Sequence, residues 1–86
     1  MKTIRIVTSN FFYTPASLML RFARENVDPL HDKAHPWGFK YGRDGKLFLR
    51  NEGIYYTYDH WEIKPVDDLL DDVTIYLKEV AKEDTI

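Results

Sequence analysis

The sequence predicts an α+β domain of order β-α-β-β-β-α, an antiparallel sheet with two helices packed on one face. Three observations predict it. An alternating run rich in β-branched residues, KTIRIVTS, opens the chain. Thr14-Pro15 and Lys64-Pro65 both mark helix starts, because proline is pre-organised for the first helical position. Between them, Pro36 to Ile63 reads as three strands joined by Arg43-Asp44-Gly45 and Asn51-Glu52-Gly53, two polar triplets ending in glycine.

Taken in order, Lys2 to Ser9 favours a strand, with Ile4 and Ile6 alternating against Thr3, Arg5 and Val7. Phe11, Phe12 and Tyr13 are expected to staple the start of the helix onto the core rather than form an exposed binding loop. Thr14 is a natural N-cap, and Leu18, Met19, Phe22 and Ala23 give the helix a buried stripe ending near Glu25 or Asn26. Asp28-Pro29 stops the helix, since the residue before proline avoids the α region.

In the central stretch, a three-residue loop ending in glycine sets the register of each hairpin. Tyr41 then faces Leu47 and Phe39 faces Leu49; across the second turn, Leu49 faces Tyr55 and Leu47 faces Thr57. Trp37, Phe39, Tyr41, Leu47, Leu49, Tyr55, Trp61 and Ile63 share one apolar face. Lys40, Lys46, Phe48, Arg50, Ile54, Tyr56, Tyr58 and His60 share the other. That second face is too aromatic for an idle wet surface and too charged for a plain core.

The last segment admits two readings. Val66, Leu69, Leu70, Val73, Leu77 and Val80 follow a helical period, and Asp67, Asp68, Asp71 and Asp72 suit a helix N-terminus. We take the long helix as the expectation. The competing reading stops it at Asp72 and makes the β-branched run Val73 to Val80 a strand. Glu83 to Ile86 are expected to fray.

The length, 86 residues, fits one domain spanning 1–86. The chain has no cysteine, which excludes disulfide frameworks, thiol catalysis and cysteine-ligated zinc. The formal net charge of −2 neither draws nucleic acid strongly nor mimics it. The apolar run around Ile4, Ile6 and Val7 is short and interrupted by charge, so no signal peptide or membrane span is expected. A cytoplasmic protein without a cofactor is the expectation.

Few constellations offer chemistry. His31, Asp32 and His35 are the weak candidates for metal ligands; they are expected in a loop, not on one helix face. On a strand, Asp59 points away from His60 and Glu62, which leaves a His/Glu pair with no nucleophile. No catalytic residue is assigned. The Lys40, Lys46, Phe48, Arg50, Tyr56 and Tyr58 face could stack single-stranded bases.

Two resemblances bear on function. IRIVTSN, then TPASLMLRF, then His35 ahead of Gly38-Phe39, with Asp44-Gly45 and Gly53-Ile54, resembles the first part of circularly permuted papain-fold hydrolases. The resemblance implies a catalytic role for His35. With Ala34 before it, Leu49-Arg50 where an acidic residue is expected, and no cysteine, it implies a non-catalytic relative. The order helix, three strands, helix, with EIKPVDDLL opening the last helix, resembles the double-stranded-RNA-binding fold and the HicA-type toxins built on it. Aspartates stand where that family carries a basic cluster.

The function expected is a non-enzymatic protein-interaction module, a small accessory or inhibitor protein of the kind a mobile element encodes. Lys46, Phe48, Arg50, Tyr56, Tyr58 and His60 are the expected contact patch, since tyrosine and arginine dominate interface energies. A protein is the expected partner. A nucleic acid, or a second copy through the open sheet face, is the alternative.

Overall fold

The computed structural model describes residues 2–26 and 37–86. Its elements are β1 (Lys2–Ser9), α1 (Pro15–Glu25), β2 (Trp37–Tyr41), β3 (Leu47–Asn51), β4 (Ile54–Pro65), β5 (Leu70–Val80) and a terminal 3₁₀ turn (Lys82–Thr85). The strands form one antiparallel sheet in the order β1-β5-β4-β3-β2. The sheet curls into a half-barrel around α1, which touches β1, β2, β3 and β4. Its two edge strands come within reach of each other, with the Lys2 ammonium 5.7 Å from the Trp37 ring.

The expected second helix is absent, and with it the two-helix packing. Its place is taken by β5, which pairs with β1 on one side and β4 on the other. Val73, Ile75 and Leu77 are each at most 1% exposed, a period of two that a helix cannot produce. Burying each such side chain stabilises the fold by about 1.5–3 kcal/mol. The helical spacing was a coincidence of the turn: Val66 and Leu69 are exposed and lie outside both strands. The terminal residues, expected to fray, turn as a 3₁₀ segment over Lys82–Thr85 and leave Ile86 exposed. Thr85 is fully buried, and its hydroxyl donates to the Lys82 carbonyl at 2.6 Å.

α1 forms as its sequence dictates. Thr14 Oγ1 accepts from the Ser17 amide at 3.1 Å, Ser17 Oγ accepts from the Thr14 amide at 2.9 Å, and Pro15 opens the first turn. Leu18, Met19 and Ala23 are buried against Ile4, Ile6, Leu47, Leu49, Tyr56 and the β5 triad.

The β2–β3 hairpin has the expected register, Phe39 opposite Leu49 and Tyr41 opposite Leu47. Gly45 supplies the positive φ of 81° that closes the loop. The β3–β4 turn is one residue shorter than expected. Asn51 pairs with Ile54 and Leu49 with Tyr56, so the loop is Glu52-Gly53, with φ of 53° and 81°. Positive φ at both positions is the mark of a type I′ hairpin.

That slip turns Tyr56 and Tyr58 to the helix side and Tyr55 away from it. A bulge between Tyr58 and His60 then restores the expected parity. Trp61 and Ile63 therefore return to the helix side, opposite Ile75 and Val73.

Glutamate tolerates the left-handed region poorly, and asparagine tolerates it well. Glu52→Asn is expected to raise stability by about 0.5–1 kcal/mol, measured by denaturant unfolding with an unchanged m-value.

Candidate functional site

The six residues expected to form one patch lie on two faces. Tyr56 is buried and Tyr58 half-buried beneath α1. Phe48 alternates to the opposite face, where it is 4% exposed beside a hollow lined by Val80, Asp84 and Ile86. Lys46, Arg50 and His60 are exposed. On that outer face cations sit over aromatic rings, Lys40 over Tyr55 at 5.4 Å and Lys46 over Phe48 at 5.7 Å. His60 stacks on Tyr76 with centroids 4.4 Å apart, and its Nδ1 meets the Asp59 carboxylate. The bulge brings Asp59 and His60 together, where regular alternation would separate them.

His31, Asp32 and His35 lie outside the described residues. Among the described residues no three His, Asp or Glu side chains converge in a metal-holding group. Among them, too, no helix is long and apolar enough to cross a membrane.

Four strongly exposed apolar side chains lie at one end of the sheet, apart from Ile86, which is 66% exposed beside the β2–β3 turn. Phe11 is 80% exposed, Phe12 89%, Leu69 72% and Val66 55%. The expectation that Phe11 and Phe12 staple the helix onto the core fails. Only Tyr13 does so, packing edge-on against Trp61 at 5.6 Å.

Two loops make this tip, and hydrogen bonds hold them together. Asn10 donates its amide to the Leu69 carbonyl at 2.9 Å and its side-chain Nδ2 to the Asp68 carbonyl at 2.8 Å. Asp67 Oδ1 accepts from the amides of Leu69 and Leu70 at 2.7 and 2.9 Å, so a side chain closes the β4–β5 turn. Phe11 and Phe12 meet edge to face at 5.1 Å. The tip is thus a braced surface of two phenylalanines, a leucine and a valine, flanked by Asp67 and Asp68.

Comparison with protein-family models, curated proteins and solved structures finds no match. The segment that carries the resemblance to the double-stranded-RNA-binding fold, EIKPVDDLL, is the end of β4, a turn and the start of β5.

Charges around the tip are distributed unevenly. Arg5 forks onto Asp72, with Nε to Oδ1 at 2.8 Å and Nη2 to Oδ2. That hydrogen bond, aided by the charges of Arg5 and Lys64, holds the Asp72 carboxyl below its usual range. Tyr13 donates its hydroxyl to Asp71 Oδ2 at 2.7 Å. Desolvation and the adjacent carboxylate push the Tyr13 phenol up to about 12 from 10.0.

A raised phenol means that the native state keeps a proton the unfolded chain releases. The stability this contact contributes is complete below pH 10 and is lost as pH rises from 10 to about 12. Burial and the neighbouring Glu62 raise the Tyr76 phenol too, so tyrosinate absorbance is expected to show two late-ionising groups, one of which is lost in Tyr13→Phe.

Sequence reasoning missed this tip because paired phenylalanines ordinarily mean core. The available signal was their placement, FF between Asn10 and a helix cap, with no alternation to bury both.

Proposed function

We propose that this chain is a non-enzymatic interaction module, a small accessory or inhibitor protein that docks through its apolar tip on a larger protein. One observation carries the reading: Phe11, Phe12, Leu69 and Val66 stand in water together on a hydrogen-bonded frame. Large apolar side chains left in solvent cost free energy, and contiguous ones mark interaction sites. Bracing the loops in advance reduces the ordering entropy that binding must overcome.

The outer face offers less. Two of its cations, Lys40 and Lys46, already lie over Tyr55 and Phe48, and Phe48 is buried, which leaves little ring surface for base stacking. The groove of about 660 Å³ between α1 and the β2–β3 hairpin is lined by Pro15, Ala16, Met19, Tyr41, Leu47 and Tyr58, and among the described residues its one charged lining residue, Lys46, turns its ammonium over Phe48 on the outer face.

The test is affinity capture from the cells that make the protein, followed by reconstitution with the purified partner. Variants at the tip are expected to lose the complex, and Arg50→Ala on the outer face to keep it. The opposite ranking contradicts the proposal.

A further inference from the structure

We infer that the tip's partner is a protein presenting an apolar cleft rimmed by lysines or arginines. This rests on the docking role proposed above and adds the chemistry of the occupant.

The inference comes from a local charge count. The end of the sheet that carries the tip holds four aspartates, Asp67, Asp68, Asp71 and Asp72, and the cations Arg5 and Lys64; Arg21, held on Thr8, is paired with Glu25. Arg5 and Lys64 act on Asp72. Asp71 accepts the Tyr13 hydroxyl, a neutral donor that leaves its charge in place. Asp67 uses one oxygen on the turn amides, which likewise leaves its charge uncancelled. Asp67 and Asp68 are both exposed, on the same turn as Val66 and Leu69. The apolar knob therefore carries an anionic collar on its β4–β5 side.

That collar selects among occupants. A nucleic acid or an anionic bilayer would press like charge against Asp67 and Asp68. A second copy of the chain would do the same, collar against collar. Such juxtapositions suppress wrong partners. A zwitterionic bilayer could take the phenylalanines but gains nothing from the aspartates, which it would have to desolvate in part. A protein cleft with an apolar floor and a basic rim satisfies both parts. The phenylalanines fill the floor, and the aspartates steer the encounter and fix its orientation.

The experiment replaces Phe12 by the photo-reactive p-benzoylphenylalanine in the full chain and irradiates it in extract of the source cells. The cross-linked partner peptide is mapped, and the purified partner is titrated with three proteins: wild type, Phe11→Ser/Phe12→Ser, and Asp67→Lys/Asp68→Lys. The inference expects a cross-link to a concave site bearing Lys or Arg. It also expects binding at least tenfold weaker for the charge-reversed variant and weakening with added salt. Parallel arms use vesicles of phosphatidylcholine, alone and with phosphatidylglycerol, and sedimentation velocity of the protein alone; neither is expected to show association.

If the serine variant loses binding while charge reversal leaves it unchanged, docking through the tip stands and the basic rim is overturned. Vesicle binding, self-association at the tip, or no cross-link overturns both.

Discussion

Phe11→Ser/Phe12→Ser is expected to weaken partner binding more than a hundredfold while leaving the thermal midpoint within a few degrees of wild type. The two halves of this result come from the same observation. Side chains that are 80% and 89% exposed bury almost nothing on folding, so their removal takes little from the native state. Aromatic anchors that become fully enclosed at an interface cost about 2–4 kcal/mol each when truncated, and two together exceed two decades in affinity. A core residue would give the reverse pattern, lost stability with binding lost only through unfolding. Circular dichroism melts beside titration calorimetry separate the cases.

Ile75→Ala is expected to cost about 2–5 kcal/mol, the range for emptying a fully buried aliphatic site. A domain of this size holds only about 5–10 kcal/mol, so the variant loses a large share of its stability. Its midpoint should fall by about 10–30 °C. Leu69→Ala should cost almost nothing, because Leu69 is 72% exposed. The pair discriminates sharply. On a helix with its stripe at Val66, Leu69, Leu70, Val73 and Leu77, Leu69→Ala would be costly. Ile75→Ala would be close to neutral there, since alanine is the best helix former.

The fold was legible where local chemistry has one meaning. Thr14-Pro15 specified the helix start, and Arg43-Asp44-Gly45 specified a three-residue loop and its register. The second turn was not legible by the same rule. Glu52-Gly53 closes with both residues left-handed, and glutamate does not advertise that conformation as asparagine does. The resulting slip moved Tyr56 and Tyr58 to the core side and dissolved the expected patch. Trp61, Ile63 and His60 kept their expected faces only because the bulge after Tyr58 cancelled the slip.

The last segment was ambiguous because apolar residues of a turn and a strand can fall at helical spacing by chance. Ile75 was the discriminating residue: it lies off the helical stripe and in the middle of the alternating one. The aspartates that suggested a helix dipole have separate tasks. Asp67 closes a turn, Asp71 takes a phenol and Asp72 takes a guanidinium.

The tip exists only if the chain turns at Val66–Leu69 and runs back as a strand beside β1. Nuclear Overhauser contacts along residues 64–80 test that most directly. Cross-strand contacts joining Ile4 to Ile75 and Tyr58 to Leu77, with the Asn10 amide close to Leu69, are the expected result. A continuous series of contacts between each α-proton and the amide three residues on, from Val66 to Val80, would restore the helix and remove the docking surface with it.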